Sequence, residues 1–76
     1  MEKTERVREC LRRAGLFLIP AGDEEALAPY GFDSLLSVMT VIEMQKEFRI
    51  TISTESIRPD SFTSVKNLSH LIPDSQ

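Results

Sequence analysis

Pro20, Gly22, Pro29 and Gly31 crowd into residues 20–31, and together they forbid a helix or strand that runs unbroken through the middle of the chain. Any fold must therefore be assembled from one segment before that window and another after it. With 76 residues the chain has room for one domain, residues 1–76, and a core that small is marginal unless helices pack efficiently or a staple is added. No staple is available. Cys10 is the only cysteine, and with His70 as the only histidine no zinc site of three or four ligands can be assembled. Cys10 reads as a small buried hydrophobe.

Before the window, Val7, Cys10, Leu11 and Ala14 recur at helical spacing with Arg and Glu filling the opposite face. Gly15 follows the last periodic residue and suits a left-handed cap. The pattern predicts a helix over about 3–14. Its five basic groups (Lys3, Arg6, Arg8, Arg12, Arg13) against three acidic ones read as an ordinary solvated face.

Residues 15–32 form a long connection. Leu16, Phe17, Leu18, Ile19, Leu27, Tyr30 and Phe32 give it too many apolar anchors for a linker, so it is expected to pack over the helices as part of the core. Asp33 is a strong N-cap type for a second helix over about 34–48. Leu35, Val38, Val41, Ile42, Gln45 and Phe48 follow a helical spacing there, and Leu36, Met39 and Met44 are apolar too. Such a helix either turns one apolar face to water as a docking surface or has both faces covered by the long loop.

Arg49–Ile52 alternates like a strand but has no partner, which predicts an extended connection with Ile50 and Ile52 plugging the core. A short helical turn is expected at about 54–58. A last helix is expected at about 63–72, with Val65, Leu68, Leu71 and Ile72 as its stripe and Pro73 ending it. The predicted fold class is all-α: a small bundle of three main helices plus one short helical turn, with a long first loop.

A net charge of −3 argues against nucleic acid as a partner. There is no run of 18 apolar residues and no leader-like start, which predicts a free-standing cytoplasmic protein that meets no membrane.

The chemistry concentrates in Gly31-Phe32-Asp33-Ser34-Leu35. This run sets a serine hydroxyl at the first position of a helix, where free N–H groups and the positive dipole end favour an anion. The adjacent glycine leaves room for a modifying enzyme. Ser34, His70 and an acid supply the residue types of a hydrolytic triad, but the turn is not a Gly-x-Ser-x-Gly elbow. Gly31–Leu35, Val38, Glu47-Phe48, Ile52, Phe62-Thr63-Ser64-Val65 and Leu68 together resemble the carrier-protein family, the acyl and peptidyl carrier proteins, over nearly the whole chain.

That resemblance implies an acyl-carrier-protein-like fold and a phosphopantetheine arm, derived from coenzyme A, carried covalently on Ser34. A phosphopantetheinyl transferase would attach it. The arm's thiol would hold acyl or aminoacyl groups as thioesters for the loading, synthase or ligase enzymes of a pathway. The carrier would be a monomer that catalyses nothing and holds no metal. By position, partners would dock on Asp33, Leu35, Val38, Met39 and Ile42. Leu36 and Met39 stand where fatty-acid carriers often place acids, and Lys46 adds a positive charge. Thr40 stands where a core leucine is frequent. These departures point to polyketide or related specialised-metabolite (antibiotic) biosynthesis. The alternatives are a peptidyl carrier of a nonribosomal peptide pathway and a helical adaptor that is never modified.

Overall fold

The first amphipathic segment forms helix α1 (Lys3–Ala14) in the computed structural model, which describes residues 2–73. Its stripe goes inward: Val7, Cys10 and Leu11 are fully buried. Burial, followed by the nearby Glu47 carboxylate, pushes the Cys10 thiol up to about 11, so it stays protonated and acts only by packing. Gly15 ends the helix at φ 121, which a side-chain-bearing residue would adopt only under strain. Its N–H reaches the carbonyls of Leu11 and Arg12, and Leu16 N–H reaches back to Leu11 at 2.9 Å. That closure satisfies the last carbonyls and folds Leu16 into the core.

The second segment forms α2 (Ser34–Phe48) and packs on α1, with Thr40, Met44 and Phe48 on its buried side. Its C-terminal end is clamped from the side. Glu47 accepts from Arg6 Nε and Arg13 Nη1, each at 2.9 Å, while the Arg6 guanidinium stacks 4.2 Å above the Phe48 ring. Hydrogen bonds from Arg13 and then Arg6 hold the Glu47 carboxyl below the usual carboxylate range. Arg49 ends α2 in a left-handed conformation (φ 55), a strain of roughly 1–2 kcal/mol for a non-glycine residue. The turn is held by Gln45, whose carbonyl accepts from Ile50 N–H at 3.2 Å and whose side chain accepts from Ile52 N–H at 2.8 Å. Ile52 is thereby buried, with Ile50 packed against the same cluster, as expected.

The long first loop is core, but not through all the anchors expected of it. Leu16, Pro20 and Leu27 are buried, whereas Phe17 and Leu18 lie largely in solvent. Leu16 and Pro20 are the buried residues on either side of that exposed pair. The basic face of α1 also differs from a purely solvated one. Arg8 is only 8% exposed and donates to the Ala21 carbonyl at 2.9 Å and to Asp23 Oδ1 at 2.5 Å. Asp23 in turn accepts on its carbonyl from Lys66 N–H (2.8 Å), and Leu27 N–H donates to the Thr63 carbonyl (2.9 Å). The loop is thus tied to α1 on one side and to the last helix on the other. It also carries a 3-10 turn of its own at Ala28–Tyr30.

The last helix, α3 (Val65–Ser69), is shorter than the expected 63–72. Thr63 closes onto Asp60 as the end of a 3-10 turn, Pro59–Phe62, that the sequence pattern did not separate from it. Ser64 caps α3 by accepting from Asn67 N–H at 3.1 Å. Beyond Ser69 the chain tightens, with Leu71 bonded to Leu68 and Ile72 to Ser69. The tightening keeps Val65, Leu68 and Ile72 on the buried side. The turn expected at 54–58 is a single 3-10 turn, Thr54–Ser56. The result is a small helical bundle with two long helices and one short one. Among the described residues no helix is long and apolar enough to cross a membrane.

Two stability outcomes follow. Arg8→Ala should lower unfolding free energy in urea by about 2 kcal/mol, since a charged hydrogen-bonding group is lost from a buried site. Arg12→Ala removes only a half-exposed pair with Glu9 at 3.6 Å and should cost less than about 0.5 kcal/mol. Equal losses would show that the Arg8 clasp is not special. The second outcome is a pH dependence. The folded state depresses the Glu47 carboxyl, so its contribution is complete above the unfolded carboxylate value and is lost as pH falls through the folded one. In thermal melts from neutrality to about pH 2, Glu47→Gln should start below wild type and lose less on acidification.

Candidate functional site

The site is built by the way the loop hands the chain to α2. Pro29 helps start the 3-10 turn Ala28–Tyr30, and Gly31 leaves it at φ 96, in the left-handed region. A Cβ placed on Gly31 would meet nothing within 4 Å, so glycine is needed there for its backbone angle and the space beside it is open. Phe32 then turns in against Phe62, ring centroids 6.3 Å apart. Asp33 follows in extended conformation as the N-cap. Its Oδ1 accepts from Leu36 N–H at 2.9 Å, and its carbonyl accepts from the Ser37 N–H and hydroxyl, each at 2.9 Å. Ser34 comes next, as the first residue of α2, with its side chain exposed. Among the described residues its Oγ enters no hydrogen bond.

Ser34 lies at the edge of a depression of about 340 Å³ whose walls include Phe32, Asp33, Ser37 and Phe62. A second depression of about 320 Å³, formed by Ser37, Val38, Val41, Ile42, Ile57 and Phe62, is almost wholly apolar. The two adjoin at Ser37 and Phe62, an open groove on the flank of α2 facing the 3-10 turns in which Ser34 lines the first depression and not the second. Phe62 and Ile57 were not singled out as site residues from sequence. Ile57 offered only its apolarity and Phe62 entered only as part of the family resemblance, and the place of both beside α2 depends on the fold.

All five residues expected for docking lie at the surface. Leu35 is 70% exposed and Val38 59%, Met39 is at 38%, and Asp33 and Ile42 are also exposed. Of the two apolar faces of α2, then, the one bearing Thr40, Met44 and Phe48 went inward and the other did not. His70 lines a separate depression with Ser56 and Arg58, so the structure does not gather Ser34 and His70 into one site. No group of three or more potential metal ligands occurs among the described residues.

No family model matches the chain, and no curated protein matches it.

Chemically, Ser34 is a primary hydroxyl in water with no base within hydrogen-bonding contact, so it can receive a group only from a partner that brings its own base. The residues fit a phosphodiester-linked arm. The hydroxyl is free, the groove gives an attached chain somewhere to lie, and the first turn of α2 favours negative charge. Asp33 qualifies this last point, because its own carboxylate already takes the Leu36 N–H.

The partition of α2 into two faces is testable by paired substitutions. Val38→Glu should leave stability within about 0.5 kcal/mol of wild type, whereas Met44→Ala should cost about 2–5 kcal/mol. A large loss from Val38→Glu in chemical denaturation would place that face in the core.

Proposed function

We propose that the protein is a carrier: it holds acyl intermediates as thioesters on a phosphopantetheine arm attached to Ser34 and delivers them to partner enzymes. The observation that carries the reading is a free, exposed hydroxyl on the first residue of α2, in a depression that adjoins an apolar one on the flank of the same helix. The resemblance of Gly31–Leu35 and the residues around it to carrier proteins supports it. The arm, when attached, supplies a thiol that binds cargo as a thioester. The chain's own part is mechanical. It presents the Ser34 hydroxyl to a transferase, whose base takes the proton. Afterwards it keeps the tether point rigid while the tethered group samples a small volume, at an effective concentration on the order of millimolar. Pro29, Gly31 and the Asp33 cap hold that point in place, and the protein itself carries out no reaction.

The exposed apolar face of α2 suits partners that read shape and apolar contact more than arginine–carboxylate pairs, with Leu35, Val38, Met39 and Ile42 as contacts and Asp33 at the rim. We assign it to polyketide or related specialised-metabolite biosynthesis in the cytoplasm, acting as a monomer. The same exposed face would serve an unmodified helical adaptor, which is therefore the second reading.

One assay separates them. Incubation with coenzyme A and a broad-specificity phosphopantetheinyl transferase should add the mass of one phosphopantetheine to the wild-type protein and none to Ser34→Ala. An unchanged wild-type mass, from protein shown to be folded by circular dichroism, would leave the adaptor.

A further inference from the structure

Lys46 and Arg49 belong neither to the core nor to the clasp around Glu47. They continue the exposed line of α2: Lys46 stands four positions beyond Ile42 and Arg49 seven, the spacing that keeps residues on the face of Leu35, Val38 and Ile42. The Lys46 side chain is 70% exposed, and its 3.7 Å contact with Glu43 leaves most of the ammonium open. Arg49 is exposed, and among the described residues its guanidinium enters no hydrogen bond or ion pair. Among those residues it is also the non-glycine position with a left-handed backbone. A cation near a helix C-terminus offsets the dipole, but Lys46 already does that, and glycine would take the left-handed angle without strain. The fold therefore holds a strained arginine whose side chain it does not use.

Charge along this face is divided. Asp33 lies at its start, about 20 Å of helix rise before Lys46. Around its far end four cations, Arg6, Arg13, Lys46 and Arg49, meet two carboxylates, Glu43 and Glu47. That is a local excess of two positive charges on a chain of net charge −3.

We propose that the exposed face of α2 docks a protein surface that has an apolar ridge and carboxylates at one end of it, the end that meets Lys46 and Arg49. The proposal rests on the docking face of the proposed function and names the chemistry of the partner. Contact with Leu35, Val38, Met39 and Ile42 supplies most of the affinity, and the charges fix which way the partner lies. A reversed partner sets its acids against Asp33 and leaves both cations unmatched. The selected orientation thereby fixes which part of the partner comes to Ser34. An anionic lipid surface fits less well, because Asp33 shares the face and the chain as a whole is acidic.

The test uses two synthetic peptides of equal length, held helical by a hydrocarbon staple and bearing the same stripe of leucines. One carries two glutamates beyond one end of the stripe, the other two lysines. Binding to the unmodified protein is read by fluorescence anisotropy. Wild type should bind the glutamate peptide roughly tenfold tighter than the lysine peptide, and added salt should shrink that ratio. Lys46→Ala/Arg49→Gly should bind the two within about twofold of each other, and Val38→Glu should weaken both. Arg49→Gly should melt no lower than wild type. Equal binding of the two peptides by wild type overturns the proposal, as does binding of neither or a preference that survives in the double variant. A several-degree loss of melting temperature in Arg49→Gly also overturns it, because the guanidinium would then have a partner inside the fold. Flotation with phosphatidylglycerol vesicles that depends on the two cations, without a peptide preference, assigns the face to lipid instead. The phosphopantetheine mass assay is independent of these titrations, so a protein that takes the arm but shows no preference loses only this proposal, and one that shows the preference but takes no arm loses only the carrier reading.

Discussion

The guanidinium of Arg8 holds the long loop in place, and without that loop the three helices have no closed interior. A charge withdrawn from water is tolerated only when it is paired and hydrogen-bonded, and Arg8 meets both conditions through Asp23 and the Ala21 carbonyl. Asp23 is a junction. Its side chain faces α1, and its carbonyl supplies a partner to Lys66 N–H, one of the first-turn donors that α3 cannot satisfy itself. Between those ties Leu27 is fully buried, plugging the bundle from the loop side. The 3-10 turn that begins one residue later delivers Ser34 to the surface. The placement of the candidate site therefore depends in part on an ion pair in which none of its own residues takes part.

That dependence explains what could be read from the residues. The bounds of α1 and α2 were legible because their ends are marked locally, by Gly15 beyond one and Asp33 before the other. The bounds of α3 were not. Val65, Leu68 and Ile72 keep an inward rhythm through tighter turns, and apolar spacing alone does not distinguish an α-helical turn from a 3-10 one. Arg8 could not be told from Arg12 or Arg13, since what buries it is a carboxylate on a separate segment. Phe17 and Leu18 look like anchors by composition, yet it is the neighbouring Leu16 and Pro20 that are buried. The position of Ser34 at the start of α2 was legible for the same local reason as the caps. The groove beside it was not, because Ile57 and Phe62 reach α2 only through the folded chain.

The orientation of α2 shows a similar division between local and distant causes. Its sequence is apolar on more than one side, so burial alone does not select a rotation about the helix axis. The ends select it. At the start, Phe32 packs on Phe62 and Asp33 caps the first turn. At the finish, Arg6 and Arg13 grip Glu47, and Arg6 covers Phe48. Between these fixed ends Thr40 and Met44 turn inward even though one of them is polar, and Leu35 and Val38 stay in water even though both are apolar. An exposed apolar face that is held there by constraints at both ends is a standing feature of the fold, and it is the property a docking surface requires.

At Ser34 two electrostatic effects oppose each other. The start of α2 carries partial positive charge and favours an anion on the serine oxygen. Asp33, which makes that start possible, takes the Leu36 N–H on its own carboxylate and takes the Ser37 N–H on its carbonyl. The free donors left to a phosphate are fewer than at an uncapped helix, and a second negative charge lies beside it in water, where the repulsion is screened but present. An anionic group attached at Ser34 would therefore gain little by folding down onto the helix end. Asp33 also walls the depression beside Ser34, so the charged group itself would stay out in solvent while the uncharged length of the chain is left to lie along the groove. On the carrier reading this favours a tether that is held at one atom and left free along the rest of its length, so that the groove and the docking partner compete for what it carries.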